Sequence, residues 1–452
     1  MKIILTVHQF LPKHAAGTET LTYQVAKELM HRGHEVIVVT GHHCNQDLAP
    51  EERFDEYIYD DIQVLRYHHG YVAFGGQTAP NEIEYNSFFV GNWFEGILRK
   101  RKPDLVHIFH LGLLSASVID ACEKVSIPKI MTTTDFWLVC LTNQLRLPDG
   151  SLCQGPNLNS LNCIRHIVET GHPEHIKQRL RSIPDWAMHI ILLLLKKDLL
   201  PQRWFTQAAK AVMKRKHFLR SRMNKLNRVL VPTHLMGSKL REYGLEENRI
   251  QYLPYGLNLK HIQPSYNKGE TAHLRLGYIG TLYEHKGVHL LVDAVRNYLP
   301  DIQLTLDIYG NIQEYPEYVR NLKNIAEDDE RIRFKGTFPN QEIGKILADF
   351  DVLIVPSIWY ENTPLVVYSA QAAACPVIGT DVGGISEAII HEENGLLFNR
   401  GDTAALASAI RRLSKDRKLL TALSKAARRP TTIQEYVDAL EGIYAECKQA
   451  AK

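Results

Sequence analysis

The sequence lacks a long hydrophobic run, a dense set of cysteines and a leader segment. Its longest uninterrupted apolar stretch, Ile190 to Leu195, falls far short of the roughly 20 residues that a membrane-spanning helix needs. Seven cysteines, an odd number, are spread over 452 residues, and no charged segment followed by an apolar one opens the chain at Met1. These absences argue against secretion and a disulfide framework, and they predict a cytoplasmic protein without a transmembrane helix.

Length and charge indicate two domains and one basic segment. A chain of 452 residues, 45% of them hydrophobic, is longer than one hydrophobic core usually organises. The net charge of +3 hides an asymmetry, because Lys196 to Arg228 contains eleven Lys or Arg and one acid, Asp198. The remainder of the chain is therefore acidic.

Short apolar runs alternate with helical patterns along most of the chain. MKIILTV reads as a strand buried on both faces, Leu21, Val25 and Leu29 recur on one helical face, and Val36 to Val39 gives the next strand. The alternation restarts in the second half with LRLGYIG, LTLDIYG, RIRFKG, DVLIVPS, CPVIGT and GLLF. We expect an α/β protein with two Rossmann-like domains, whose parallel sheets face each other across a cleft.

The predicted boundaries follow from where this alternation stops and restarts. The first domain is predicted over residues 1–262 with an insertion at about 136–228, the second over 263–428, and 429–452 as a helix returning to the first.

Three segments are predicted at the carboxyl ends of strands, where open parallel sheets bind ligands. Gly17 and Thr18 begin a helix whose free amides suit a diphosphate, although such turns also occur merely to pack. Lys286, after Gly280, would place a charge on a phosphate leaving group or be a solvated lysine. Glu361 would accept hydrogen bonds from sugar hydroxyls or be a solvated strand end.

Glu361 precedes the most informative of these helices. Asn362 or Thr363 is predicted as its N-cap and Pro364 as its first residue, which leaves the amides of Leu365 and Val366 as unpaired donors for an anion.

These segments also resemble a known family. AGTE, LGYIGTLYEHKGVHLL, VPSIWYEN, CPVIGTDVGGISEAI and ENGLLFNRGD are similar, in this order, to the retaining glycosyltransferases of family four, whose fold is called GT-B. The resemblance is continuous over Leu274 to Leu413 and patchier in the first half. It implies transfer of a sugar from a nucleoside diphosphate sugar to an unidentified saccharide or lipid-linked acceptor, without a metal ion or a cofactor.

The resemblance also implies roles for single residues. Gly17 contacts the donor diphosphate, Lys286 neutralises it as it leaves, and Glu361 binds hydroxyls of the donor sugar. His110 and Asp135 face the sugar or the acceptor. The remaining donor-binding positions are Thr18, Gly280, Thr281, Gly310, Asn362, Thr363, Leu365, Val366 and Ser369.

Two of these positions depart from the family pattern. Thr281 replaces an arginine that many relatives pair with the lysine, and Ser369 replaces the glutamate that binds the ribose. A non-catalytic nucleotide- or glycan-binding protein therefore stays open as an alternative. A nucleotide-sugar epimerase or a phosphorylase of similar build is disfavoured by the motifs of the second domain.

The predicted insertion carries two features, each with two interpretations. Cys140, Cys153, Cys163 and His166 would either hold a structural metal or be buried thiols. The segment 186–228 would either lie on an anionic membrane surface or pack as an ordinary helix, and nucleic acid is a poorer partner because no recognition module accompanies the charge. Its apolar stripe would comprise Trp204, Ala208, Val212, Leu219, Met223 and Leu226.

Overall fold

A computed structural model of the chain divides into two units. The structure describes residues 1–450 except 45, 47, 71–78, 202, 267, 269 and 270. The side chain of residue 204 also lies outside the description. The first unit comprises Met1–Pro254 and Gln434–Lys452, and the second comprises Tyr255–Ile433. The division after Pro254 falls earlier than the predicted boundary at residues 262 and 263.

The first unit contains a mainly parallel sheet in the order β3-β4-β2-β1-β5-β6-β7-β8, in which only β3 is antiparallel to its neighbour. The inner strands are near-continuous apolar runs because helices cover both of their faces. The strands are β1 (Lys2–Val7), β2 (Glu35–His43), β3 (Phe54–Tyr59), β4 (Ile62–His69), β5 (Leu105–Ile108), β6 (Lys129–Thr132), β7 (Arg228–Val231) and β8 (Ile250–Tyr252).

The helices of Met1–Pro254 connect these strands and build the insertion. They are α1 (Gly17–His31), α2 (Pro80–Ile83), α3 (Phe88–Arg101), α4 (Ser117–Lys124), α5 (Leu161–Gly171), α6 (Glu174–Arg181), α7 (Asp185–Lys196), α8 (Trp204–Met223) and α9 (His234–Tyr243). Leu21, Val25 and Leu29 are buried on α1, which confirms the predicted face.

The basic segment differs from the membrane-facing stripe that the sequence suggested. Val212, Leu219 and Met223 on α8 are buried, as is Leu226 after it, because this stripe packs into the unit. The side chain of Trp204 lies outside the described residues. The exposed apolar side chains belong to α7 instead, where Trp186, Ile190 and Leu193 point outward, opposite the buried Met188, Leu192 and Leu195.

The second unit contains a parallel sheet in the order β11-β10-β9-β12-β13-β14. Its strands are β9 (Leu274–Ile279), β10 (Leu304–Tyr309), β11 (Ile332–Gly336), β12 (Val352–Val355), β13 (Val377–Thr380) and β14 (Gly395–Phe398). Its helices are α10 (Val288–Asp293), α11 (Pro316–Ala326), α12 (Ile343–Asp349), α13 (Leu365–Ala372), α14 (Gly383–Ala388), α15 (Thr403–Lys415) and α16 (Arg417–Lys425). Each apolar run that predicted a strand in this half forms one.

The last helix, α17 (Ile433–Ala450), packs into the first unit. Tyr444 on its buried face lies with its hydroxyl 2.6 Å from Nδ1 of His107 on β5. Arg32, after α1, donates to Asp438 at 2.5 Å and to Glu441 at 2.7 Å.

Both sheets reverse their strand order at one point. The reversal lies between β1 and β5 in the first unit and between β9 and β12 in the second. Ligands of such sheets bind at the carboxyl ends of the strands that flank this point. The predicted α/β class with two Rossmann-like domains is confirmed. None of the helices that the structure describes is long and apolar enough to cross a membrane.

Candidate functional site

Glu361 is the centre of a hydrogen-bonded cluster in the second unit. Its Oε1 atom accepts from Nζ of Lys286 at 2.7 Å, from Oγ of Ser357 at 2.8 Å and from Nε1 of Trp359 at 2.9 Å. Lys286 follows β9 and the other three residues follow β12, so the cluster lies where the strand order reverses. The structure thus brings together Lys286 and Glu361, which the sequence indicated separately.

The two carboxylate oxygens of Glu361 differ in their hydrogen bonding, because all three donors bind Oε1. Within the described residues no hydrogen bond reaches Oε2, so this atom is available to a ligand hydroxyl. Burial by itself would raise the pKa of Glu361, but the charge of Lys286 and the three hydrogen bonds hold it below its usual value. The indole of Trp359 also lies 5.1 Å from Nζ of Lys286, a cation–π contact.

Gly287 holds the loop of Lys286 close to the strand end of Glu361. It has a φ of +69°, and a Cβ atom at this position would lie 1.9 Å from the carbonyl oxygen of Pro356. The amide of Ile358 donates to the carbonyl of His285 at 2.9 Å across the same contact. Only glycine allows this approach, which fixes the position of the lysine.

Gly280 and Gly310 lie at the ends of β9 and β10, but their amides serve the sheet. Gly280 donates to the carbonyl of Tyr309 at 3.0 Å, and Gly310 donates to that of Gly336 at 2.9 Å. A Cβ atom at Gly310 would lie 2.4 Å from the carbonyl oxygen of Gly280, so the two glycines allow close packing of the strand ends, and their N–H groups are already used. Thr281, which follows Gly280, has an exposed side chain.

Helix α13 begins one residue later than the sequence predicted. Pro364 has a ψ of 84°, so it precedes the helix, and no side chain caps the first turn. The expected caps are engaged or enclosed elsewhere: Nδ2 of Asn362 lies 3.3 Å from the hydroxyl of Tyr255, and Oγ1 of Thr363 is buried without a hydrogen-bond partner. The predicted N-cap was therefore wrong, because the Pro364 backbone turns before the helix starts.

The first turn of α13 nevertheless has the unpaired amides that the sequence predicted. The carbonyl of Pro364 accepts from the amides of Val367 and Tyr368. The amides of Leu365 and Val366 have no acceptor among the described residues, as expected for the first turn of an uncapped helix.

Ser369 uses its hydroxyl inside this helix. Oγ donates to the carbonyl of Leu365 at 3.0 Å, and the residue is buried. The hydrogen of this hydroxyl is therefore engaged within the helix.

In the first unit, His110 and Asp135 form a second pair. Nε2 of His110 lies 2.9 Å from Oδ2 of Asp135, and the amide of Gly112 donates to Nδ1 of His110 at 2.9 Å. The ring is thus assigned as neutral, with its proton on Nε2 directed at the carboxylate. Burial would raise the pKa of Asp135, yet His110 lowers it overall, so the carboxylate is ionised.

Two residues that the sequence did not single out as site residues extend this pair. The ring centroid of His8, after β1, lies 4.3 Å from that of His110, and Nε2 of His8 lies 3.2 Å from Oε1 of Glu19 on α1. Burial, followed by His110, lowers the pKa of His8 to about 3, and burial raises that of Glu19. Nδ1 of His8 and Oε2 of Glu19 are buried and have no hydrogen-bond partner among the described residues, so both atoms can bind a polar group.

Gly17 and Thr18 begin α1 in the same unit. Their helix follows Ala16 and has no side-chain cap, so its first amides point outward from the end of β1. His8 follows β1, and Gly17 and Glu19 lie in the first turn of α1, so all three lie beside the point where the strand order reverses. The histidine directly after MKIILTV was the sequence signal that could have identified His8.

The cysteines of the insertion were predicted either to hold a metal ion or to be buried thiols. Cys140 and Cys153 are buried, and burial raises the pKa of the thiol of Cys163 to about 12. Cys153 accepts from the amide of Gly155 at 3.4 Å. Across the described part of the chain, no three His, Cys, Asp or Glu side chains, including His166, are grouped so as to hold a metal ion.

Two family models match this chain. A family model described as Glycosyltransferase Family 4 matches residues 15–150, and one described as Glycosyl transferases group 1 matches residues 273–416. Together the two matches cover more than half of the chain and include Lys286, Glu361, His110 and Asp135, whereas His8, Cys153, Cys163 and His166 lie outside them.

Individual relatives match over parts of the sequence. The D-inositol 3-phosphate glycosyltransferase of Pseudarthrobacter chlorophenolicus is 32% identical over 198 residues, which are 41% of this chain and 46% of that protein. An Escherichia coli UDP-Gal:alpha-D-GlcNAc-diphosphoundecaprenol alpha-1,3-galactosyltransferase is 25% identical over 223 residues, 45% of this chain and 56% of that protein. The matched segments thus span about half the length of these curated relatives.

A solved structure extends the likeness to the whole fold. Anabaena HepE in complex with UDP-glucose has a TM-score of 0.62 at 15% identity, with 99% of this chain and 100% of that chain covered. With both family models matched and the fold shared, the chain belongs to the family 4, group 1 glycosyltransferases of the GT-B fold.

Proposed function

We propose that the protein is a retaining glycosyltransferase that moves a sugar from a nucleoside diphosphate sugar to an acceptor hydroxyl without a metal ion. The observation that carries the proposal is the Lys286–Glu361 pair, because it places a cation and a free carboxylate oxygen at the strand-order reversal of the second unit. The names of the relatives support such a donor, since one is named for UDP-galactose and another was solved with UDP-glucose.

The roles of the residues follow from the charge that develops on the leaving group. When the bond between the anomeric carbon and the diphosphate oxygen breaks, negative charge grows on the diphosphate. Lys286 neutralises it, and the amides of Leu365 and Val366 bind its oxygens. Oε2 of Glu361 accepts a hydroxyl of the donor sugar, which orients the anomeric carbon.

The proposed transfer proceeds on one face of the sugar. The acceptor oxygen bonds to the anomeric carbon on the face from which the diphosphate departs, and the acceptor proton passes to the diphosphate. This route needs no carboxylate nucleophile, in contrast to a retaining glycosidase. Because Lys286 is a fixed cation, the proposal assigns it the charge neutralisation that a divalent ion performs elsewhere.

The first unit supplies polar groups for a sugar or acceptor hydroxyl. His110 is held by Asp135, and Oε2 of Glu19 is a buried acceptor without a partner. The uncapped first turn of α1 gives the amides of Gly17 and Thr18 to an anionic group.

The acceptor in this proposal is a lipid-linked or cell-envelope saccharide, presented at a membrane surface. The outer face of α7 supports this choice, because Trp186, Ile190 and Leu193 expose 69%, 50% and 48% of their surface beside the basic segment. The protein should sediment with anionic liposomes at low salt and be released as salt screens the attraction. Trp186→Glu should abolish sedimentation, and sedimentation that ignores lipid charge would contradict this part of the proposal.

The transfer itself is tested with the purified protein and a panel of nucleoside diphosphate sugars. Proton NMR should show slow donor hydrolysis without an acceptor, with retained anomeric configuration in the first product and no loss of rate in excess EDTA. Lys286→Ala should remove the activity, and Lys335→Ala, a change to an exposed lysine on β11, should not.

The outcomes of this experiment separate the proposal from its alternatives. Inversion or full dependence on a divalent ion would contradict the mechanism. Tight binding of a nucleoside diphosphate without any turnover would favour the non-catalytic alternative. That alternative is supported by Ser369, whose hydroxyl is bonded within its own helix.

A further inference from the structure

The helical insertion of the first unit contains an apolar cavity that the transfer chemistry does not use. Its volume is about 440 Å³, and it lies among α5, α6, α7 and α8. An engineered cavity of about 150 Å³ lined by Leu, Ile and Phe stays dry and binds benzene, so this cavity is roughly three times as large. Among the described residues that line it, only Asn81, His172, Arg179 and Thr206 are polar.

The interior of this cavity gives water little to bind. The hydroxyl of Thr206 lies 3.0 and 2.8 Å from the carbonyl oxygens of Pro201 and Arg203 and accepts from the amide of Arg203 at 2.8 Å, so it is already satisfied. The walls are formed by aliphatic side chains such as Ile164, Leu192 and Val212. Protein interiors normally pack to the density of organic crystals, so these walls gain contacts when a hydrocarbon fills the space.

The charges around the cavity favour an anionic head group. Arg179 is exposed where it lines the cavity, and it has no ion pair or hydrogen bond among the described residues. Lys196 and Lys210 do not line this cavity, because they face a neighbouring depression together with Asp198.

The acids of the helical part of the insertion, residues 161–228, are already paired. Arg181 binds Glu169 and Glu174, Arg165 binds Asp185 at 2.6 Å, and Lys210 binds Asp198. The unpaired charge of this region is therefore positive.

We propose that this cavity holds the hydrocarbon chain of an anionic lipid, whose phosphate binds Arg179. The cavity is distinct from the exposed face of α7, because Trp186, Ile190 and Leu193 do not line it. The site therefore differs from a membrane-docking surface and adds a lipid-binding function to the proposed transfer.

The probe is decyl phosphate, titrated into the full-length protein by calorimetry below the concentration at which it forms micelles. We expect one site per chain, with affinity that falls about fourfold for each methylene removed, the ratio equivalent to about 0.8 kcal/mol per buried CH₂. Ala209→Trp, which fills the cavity, should abolish binding. Arg179→Gln should weaken decyl phosphate at least tenfold and leave decanol unchanged, since a lost charge-assisted hydrogen bond has roughly that effect.

The matched control is Ile190→Gln, which changes the outer face of α7 and leaves the cavity intact. It should bind decyl phosphate as the wild type does. Absence of binding, affinity independent of chain length, unchanged affinity in folded Ala209→Trp, or loss in Ile190→Gln would each overturn the proposal. If Ala209→Trp does not fold, the chain-length series on the wild type decides alone. No sugar donor is present, so the result is independent of the transfer reaction.

Discussion

Replacing Lys286 by methionine should affect stability and turnover through the same carboxylate, and a second substitution should separate the two effects. In Lys286→Met, Oε1 of Glu361 keeps Ser357 and Trp359 as donors but loses its only cation. The side chains of the pair are 23% and 11% exposed, so the stranded carboxylate is mostly shielded from water.

The expected loss of stability follows from this geometry. Breaking a fully buried ion pair from one side costs about 3 to 5 kcal/mol, and a hydrogen bond to a charged group contributes about 1.5 to 3 kcal/mol. Because Lys286 is partly exposed, we expect about 2 kcal/mol for Lys286→Met. Adding Glu361→Gln removes the unpaired charge and keeps an oxygen for Ser357 and Trp359, so most of the stability should return.

Turnover should behave differently. Loss of the cation that neutralises the leaving group should lower the rate about 10² to 10³-fold, and Glu361→Gln cannot restore it. Urea unfolding and donor hydrolysis would be measured on both variants, with Lys335→Met as the control that changes neither. The reasoning is refuted if the double variant regains activity together with stability, or if folded Lys286→Met turns over normally.

Three further predictions concern Ser369, His107 and Gly287. Since Oγ of Ser369 is bonded to Leu365, uridine diphosphate and its 2′-deoxy analogue should bind within tenfold of each other, about 1.4 kcal/mol, and a larger preference for ribose would show another clamp. Burial lowers the pKa of His107 to about 3. Below about pH 6.5 the unfolded chain therefore binds a proton at this histidine that the folded chain does not bind. The contribution of His107 to the free energy of unfolding is present above pH 6.5 and falls by about 2 kcal/mol when the pH is lowered to 5. In urea unfolding, His107→Gln should therefore lose about 2 kcal/mol less than the wild type between these pH values. Equal losses in the two proteins would contradict the assignment. Gly287→Ala should cost at least about 2 kcal/mol because its Cβ meets the carbonyl of Pro356, whereas Gly442→Ala on α17, with open space around it, should be neutral or stabilising; equal effects would mean that the Lys286 loop adjusts freely.

The sequence predicted the second unit well because its signals are local. Each strand there is an apolar run followed by a turn, so periodicity alone located β9 to β14. Lys286 and Glu361 were identified singly, since each follows a strand, but their 2.7 Å contact depends on the order of β9 and β12 in the sheet. Ser357 and Trp359 were missed because a hydrogen bond to a neighbouring carboxylate leaves no pattern in the chain.

Sequence patterns did not predict the features that depend on contacts between distant segments of the chain. The apolar stripe on α8 was compatible with a membrane surface or with burial, and packing against the first unit buries it, while α7 exposes the apolar face. His8 lies beside His110 only because β1 and β5 are neighbours, although β5 follows about a hundred residues later. The start of α13 shifted by one residue because Pro364 turns the backbone before the helix, and a sequence gives helix ends poorly.

The most direct test of the account is whether Lys286 recognises the diphosphate of the donor. The nucleoside diphosphate that binds best in a thermal-shift panel would be titrated by calorimetry beside its monophosphate, into the wild type, Lys286→Ala and Lys335→Ala. We expect the wild type and Lys335→Ala to prefer the diphosphate at least tenfold, about 1.4 kcal/mol, and Lys286→Ala to lose that preference. Full diphosphate preference in folded Lys286→Ala would contradict the assignment of the donor site.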